Sequence, residues 1–204
     1  MYKYFFKYIF DMLLVIIGLV VVSPGLIIVS ILIRLKLGSP ILFAQERPGI
    51  NGKPFSMYKF RSMTNEKDKE GNLLPNEARL TSFGRKLRSS SLDELPSLLN
   101  VLRGEMSIVG PRPLRMRYLE LFSPKEYRRH EVRPGITGYA QVNGRSNLNW
   151  DKKLEMDVYY VDNLTIWMDI KIIFKTIFNV IGKKDTNPNG ADFEIPFDEY
   201  IKTR

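Results

Sequence analysis

Two acidic residues, Asp93 and Glu94, stand side by side in SSSLDELPSLLNVLRG (89–104), in a chain of 204 residues with no cysteine and one histidine, His130. That inventory excludes disulfides, zinc ribbons, thiol nucleophiles and multi-histidine metal centres, and allows a Ser-His-Asp triad only around His130. Carboxylates must carry any acid, base, nucleophile or metal chemistry, and a hard, oxygen-loving ion such as Mg²⁺ is their natural partner. Ser91 and Glu94 have the S-x-x-E spacing of a capping box, in which Ser91 caps, Glu94 returns the bond and neither does chemistry. Pro96 supports a helix start here, because proline is tolerated around the first turn. The same placement has a chemical use. An Asp93 in the first turn meets free N–H groups and the positive end of the helix dipole, which keep it ionised and draw phosphate toward it. Such a carboxylate could attack phosphorus and form an acyl phosphate. On an ideal helix Glu94 points about 100° away, so joint metal binding by the pair requires a bent first turn.

Phosphoryl chemistry also needs cations around the transferring group. The candidates are Lys59 and Arg61 on a strand, Arg88 just before the helix, Arg112 in VGPRP and Arg145 in NGR. Any one alone is more often a solvated surface charge; their association with Pro- and Gly-fixed turns makes a preorganised anion site more credible. Thirty-one Lys and Arg against 22 Asp and Glu leave a net charge of +9. That balance points to anionic partners: nucleic acid, phosphorylated metabolites or an acidic lipid surface.

The elements that must position these groups begin with an apolar segment. Between Asp11 and Arg34 lie 22 uncharged residues, enough for a straight helix to cross a bilayer core. Apolar residues continue past VVSPG (21–25), which argues against a cleaved signal peptide. Pro24 has no N–H and its ring collides with the carbonyl of Val20, so a kink is expected there. Ser23 is pushed from helical angles, and its hydroxyl can satisfy a freed carbonyl. A kinked transmembrane helix and a re-entrant helix-break-helix both fit. The basic flanks on both sides, Lys3 and Lys7 before and Arg34 and Lys36 after, lean toward re-entry, since a one-way span would be asymmetric.

Farther on, ILFAQE (41–46) and PFSMYKFRSM (54–63) flank a turn containing Asn51-Gly52, a hairpin signal. NEKDKEGN (65–72) reads as a polar loop. TSFGRKLR (81–88) suits a short basic helix with Phe83 and Leu87 on one side, and SLDELPSLLNVLRG (91–104) a helix closed by Gly104. Proline-rich turns follow at VGPRP (109–113) and RPGITG (133–138), and another helix begins near Asn149. In TIWMDIKIIFKTIFNVI (165–181) one helical face carries Ile166, Trp167, Ile170, Ile173, Phe174, Ile177, Phe178 and Ile181; the other carries Asp169, Lys171, Lys175, Thr176 and Asn179. Packing against the core and lying in the headgroup layer explain this pattern equally.

Three long segments in order, KFRSM (59–63), SSSLDELPSLLNVLRGEMSIVGPRP (89–113) and RPGITGYAQVNGR (133–145), closely resemble signature segments of the bacterial sugar transferases, also called monotopic phosphoglycosyl transferases. The likeness runs from the SPG-broken segment to about residue 180. It implies transfer of a sugar 1-phosphate from a UDP-sugar to undecaprenyl phosphate with release of UMP. It also implies Asp93 as nucleophile, Glu94 as its partner for Mg²⁺ or protons, and Lys59, Arg88, Arg112 and Arg145 as phosphate ligands. Asp157, in the family-like LEMDVYYVDN (154–163), is a further active-site candidate. The resemblance favours re-entry at Ser23-Pro24. The short chain looks most like the members that use UDP-N,N′-diacetylbacillosamine and start bacterial N-linked protein glycosylation.

The expected architecture is therefore α+β and mainly helical. A re-entrant membrane-associated helix (1–37) precedes a catalytic domain (38–204) with a β-hairpin and amphipathic interfacial helices, on the cytosolic face of the bacterial inner membrane. The partners expected are a UDP-sugar, undecaprenyl phosphate and the bilayer, and not nucleic acid. Two rivals make different forecasts. A ternary-complex transferase would use Asp93 only as a Mg²⁺ ligand, and a membrane-tethered polyanion-binding domain would release no UMP.

Overall fold

A computed structural model describes residues 2–144, 148–182 and 195–204. The protein is α+β and mainly helical. Its apolar segment forms one α-helix, α1 (Lys7–Leu37), which continues through Ser23-Pro24-Gly25. Pro24 cannot donate to the Val20 carbonyl, and the Ser23 hydroxyl donates to it instead at 3.1 Å. The orphan expected from the sequence is thereby satisfied.

Both ends of α1 are fixed to the same globular body. At the start, Lys7 Nζ donates to Asp169 Oδ2 at 2.7 Å and lies 3.8 Å from Asp11 Oδ1. Tyr2 and Tyr160 also donate to Asp169, at 2.7 and 2.6 Å, and Ser107 Oγ donates to Asp11 at 2.6 Å. Val15 packs just beyond, against Phe55, Met57, Val101 and Met106. At the other end Ile33 and Leu37 join Phe60 and Leu87 in a second cluster. Between them, residues 16–32 include no fully buried side chain, and Ile16, Ile17, Val20, Val21, Ile27, Ile28 and Ile31 face outward.

Strands β1 (Leu42–Pro48) and β2 (Pro54–Phe60) form the expected antiparallel hairpin, in register from Leu42↔Phe60 to Pro48↔Pro54. Asn51 and Gly52 turn it with φ of 54° and 73°, a conformation these two residue types tolerate. Helix α2 (Ser82–Ser89) is capped by Thr81 Oγ1, which accepts from Gly84 N, and it buries Leu87 beside Phe83 as the spacing predicts. A 3₁₀ turn (Leu92–Ser97) leads into the short α3 (Leu98–Leu102).

The two proline-rich turns hide something the sequence did not announce. Ser107–Val109 (β3) and Gly135–Thr137 (β4) pair as parallel strands. The backbones approach so closely that a Cβ on Gly135 would lie 2.1 Å from Gly110 N, and one on Gly110 would lie 2.4 Å from Arg133 O. Glycine is needed at both positions for that contact. Helix α4 (Trp150–Asp162) starts where Asn149 predicts, its Oδ1 accepting from Lys152 N. In α5 (Ile166–Ile181) the buried residues are Asp169 and Ile172, whereas Trp167, Phe174 and Phe178 are 70%, 58% and 71% exposed. Trp167, Phe174 and Phe178 of the apolar stripe thus point outward, while Ile173 packs on the core with Met168 and Ile172, so the helix serves the core along one edge and exposes apolar rings along the other. The chain's end is not a loose tail: Phe197 is fully buried with Tyr118, Trp150 and Leu154.

Candidate active site

The capping box suggested by Ser91 and Glu94 does not form. Ser91 adopts a left-handed conformation (φ 57°, ψ 12°) and makes no side-chain cap. The turn that follows is 3₁₀, not α, and it brings Glu94 to Lys59 of the hairpin. Glu94 is then used differently. Its Oε1 accepts from Lys59 Nζ at 2.7 Å and from Arg112 Nη2 at 2.9 Å.

Three local devices bring these groups together. Along β2 the two-residue period puts Phe55, Met57 and Lys59 on one face; the first two enter the core and the third reaches Glu94. Asn100, fully buried in α3, donates to Ser56 O at 2.8 Å and accepts from Tyr58 N at 3.0 Å, which pins the 3₁₀–α3 unit to β2. At Gly84, α2 comes so near the backbone that a Cβ would lie 1.9 Å from Ser62 O. One turn later, Arg88 Nε donates to Ser62 Oγ at 2.9 Å.

The two carboxyl groups are pushed apart in acidity. For Glu94, burial opposes ionisation, but the charges and hydrogen bonds of Arg112 and Lys59 prevail and hold it well below the usual carboxylate range. Asp93 moves the other way, to about 6, mainly through burial and next through the neighbouring Glu94 charge; Lys59, Arg88 and Arg112 oppose the rise. Asp93 remains partly exposed, and among the described residues its carboxylate accepts no hydrogen bond. A strongly ionised, cation-held Glu94 therefore lies beside an uncommitted Asp93 within the field of three cations.

The other expected residues separate. Asp157 is buried away from this cluster, where Arg129 donates to its Oδ2 from Nε at 3.0 Å and from Nη2 at 2.6 Å. The same Arg129 Nη2 donates to the backbone carbonyl of Arg112 at 2.7 Å. Asp157 thus holds Arg129, which holds the Pro111-Arg112-Pro113 turn. Arg61 also lies apart: its guanidinium donates to Ser39 O near the end of α1. Arg145 falls outside the described residues. The sequence did not single out Arg129, Asn100 or Ser62. Arg129 is hidden in the basic run Arg128-Arg129-His130, and only its pairing with Asp157 distinguishes it.

Among the described residues, no cluster of three or more metal-ligating side chains occurs. The donor set at Asp93 and Glu94 suits an ion that takes one or two carboxylates and completes its shell with water and substrate phosphate, as Mg²⁺ does.

Comparison with known proteins fits this geometry. The family model described as "Bacterial sugar transferase" matches residues 2–183. An uncharacterised sugar transferase, EpsL of Bacillus subtilis, is 53% identical over 184 residues, covering 89% of this chain and 91% of its own. A UDP-glucose:undecaprenyl-phosphate glucose-1-phosphate transferase of Klebsiella pneumoniae is 41% identical, covering 85% of this chain and 39% of its own. A UDP-N-acetylgalactosamine-undecaprenyl-phosphate N-acetylgalactosaminephosphotransferase of Aeromonas hydrophila is 37% identical, with coverage of 84% and 42%. The chain therefore spans about two-fifths of the length of these last two relatives. With its long motifs, its paired carboxylates and a match over nearly its whole length, the chain belongs to the bacterial sugar transferase family.

Proposed function

We propose that this protein transfers a sugar 1-phosphate from a UDP-sugar to undecaprenyl phosphate, releasing UMP, through a covalent intermediate on Asp93. The observation that carries this reading is the contrast within the acidic pair: Glu94 is committed to two cations and Asp93 is not. In the first step an Asp93 oxygen bonds to the β-phosphorus, the bond from that phosphorus to the bridging oxygen breaks, and UMP leaves with the oxygen. In the second, a phosphate oxygen of undecaprenyl phosphate bonds to the same phosphorus and the Asp93–phosphorus bond breaks, freeing the carboxylate. Lys59 and Arg112, oriented by Glu94, with Arg88, bind the negative charge of the transferring group. Asp157 acts as a positioning residue through Arg129. Asp93 and Glu94 would hold Mg²⁺, which supplies neutralisation of the donor's diphosphate.

The membrane arrangement proposed is monotopic and re-entrant, with the domain boundary after Leu37 and the body on the cytosolic face of the inner membrane. Its support is that both ends of α1 are anchored in one body while its middle exposes a mostly hydrocarbon surface. A helix passing once through the bilayer could bury only one end in that way. The outward stripe of α5 suits the same surface. Such placement puts Asp93 where a polyprenyl phosphate keeps its head and a soluble nucleotide sugar can reach.

The sugar is the finest part of the proposal. UDP-N,N′-diacetylbacillosamine, with N-linked protein glycosylation as its pathway, is the donor suggested by overall sequence likeness. Glucose, N-acetylgalactosamine and galactose are those in relatives' names. A UMP-release assay with undecaprenyl phosphate across these four UDP-sugars selects among them. Rapid quench with β-³²P-labelled donor and no acceptor should leave label on the protein and none on Asp93→Asn. Turnover without labelled protein, together with intersecting initial-rate lines, would establish a ternary complex instead.

A further inference from the structure

Arg61 is the charge that the candidate active site does not use. The residue is only 6% exposed, and its Nη1 donates to Ser39 O at 2.7 Å. Its Nε and Nη2 are buried and have no hydrogen-bond partner among the described residues, and no carboxylate there pairs with it. The charge that bears on it is another cation, Arg34, in the last turns of α1; burial and that like charge both depress its pKa. Two neighbouring guanidinium groups without a counter-charge are unfavourable unless an anion joins them. The unused atoms also have a shape: Nε–H and Nη2–H form the parallel fork that grips two oxygens of a phosphoryl group.

Location narrows the source of that anion. The fork lies under the turn after α1, where a Cβ on Gly38 would be 3.5 Å from Nη2. Just before this turn, α1 exposes Ile27, Ile28, Ile31 and Leu35, and Lys36 reaches over the Phe83 ring. Apolar surface thus gives way to cations over a few residues, as at a lipid headgroup layer. We propose that Arg61 and Arg34 form a binding site for the phosphoryl group of a membrane lipid at the exit of α1, separate from Asp93. The headgroup enters as the turn at Gly38 shifts and Arg34 closes over it. This inference rests on the monotopic membrane placement proposed above and not on the transfer chemistry.

Native mass spectrometry of the full chain in detergent tests it, with phosphatidylglycerol, diacylglycerol of the same tails and inorganic phosphate as separate probes. One phosphatidylglycerol should be retained and diacylglycerol should not. Arg61→Gln and Arg34→Gln should each weaken retention roughly tenfold, as expected for loss of charge-assisted hydrogen bonds. Arg61→Lys, which keeps the charge but not the fork, should fall between. Absent retention, or equal retention by the wild type and Arg34→Gln, whose side chain is exposed enough to change without unfolding the core, would overturn the site. Tight binding of inorganic phosphate that depends on Arg61 would assign the site to a soluble anion and overturn the lipid assignment. Labelling of Asp93 by donor should persist in Arg34→Gln, so failure here is distinguishable from failure of the transferase reading.

Discussion

The protein contains two clusters of carboxylates and cations, and they solve opposite problems. Around Asp169 the charges are consumed. Lys7, Tyr2 and Tyr160 all donate to its two oxygens, Asp11 is held by Ser107, and Lys7, Asp11 and Asp169 are almost completely buried. Among the described residues there, only Asp11 Oδ1, buried 3.8 Å from Lys7 Nζ, lacks a hydrogen bond; the cluster fastens the start of α1 to α5 and β3. Around Asp93, Lys59 and Arg112 pair with Glu94 while Arg88 donates to Ser62, and the second carboxylate is left partly exposed with its acidity shifted toward neutrality. A carboxylate with both oxygens engaged, as Asp169 is, makes an anchor, whereas one left without a hydrogen bond amid positive charge suits a nucleophile.

Substitutions at the two aspartates sharpen the contrast most. Asp93→Asn should lower UMP release on the order of 10⁴-fold or more, the scale seen when a nucleophile is removed, with an unchanged circular dichroism spectrum. Asp169→Asn should do the reverse. It removes the nearer carboxylate from the buried Lys7 ammonium and leaves only Asp11 at 3.8 Å, at a cost of about 3 kcal/mol, visible as a lower unfolding midpoint, while correctly folded molecules still accept label from the donor. Loss of labelling in folded Asp169→Asn would show that the two clusters are not separable.

A pH profile probes the Asp93 environment more gently. The attacking form is the carboxylate, and its pKa is raised to about 6. Below that value kcat/KM should fall about tenfold per pH unit as the group protonates. Removing a cation disfavours the charged form, so Arg112→Gln should move this limb to higher pH. A limb near pH 4 in the wild type, unmoved by Arg112→Gln, would contradict the electrostatic picture. The smallest effect is expected at the outward stripe of α5. Phe178→Glu should weaken sedimentation with vesicles severalfold and leave the labelling rate in detergent unchanged.

Much of this organisation was legible in the residues. The hairpin followed from the Asn51-Gly52 turn, α2 from its Phe83/Leu87 spacing, and α4 from the helix start near Asn149. Ser23 was found on the Val20 carbonyl because proline chemistry requires some donor there. Less was visible wherever the partner is remote in sequence. Ser91 and Glu94 match a capping box locally, yet cations at 59 and 112 claim the glutamate. Asp157 resembled an active-site acid, and Arg129 claims it. The parallel pairing of β3 with β4 looked like two unrelated proline-rich turns, because three-residue strands leave almost no periodic signal.

By itself the sequence determined that any acid, base or nucleophile chemistry here falls to carboxylates, that the chain carries an excess of positive charge suited to anions, that an uncharged apolar segment runs from residue 12 to 33, and where most elements begin. These properties depend on composition and on contacts a few residues apart. The tertiary structure alone decided which aspartate stays uncommitted, that both ends of α1 meet one body, that Trp167, Phe174 and Phe178 of α5 face outward, and that Arg61 buries two donor nitrogens without a hydrogen-bond partner among the described residues. Each of those depends on which charge or surface lies opposite across tens to more than a hundred residues of chain, and burial, not local pattern, sets what such a neighbour is worth.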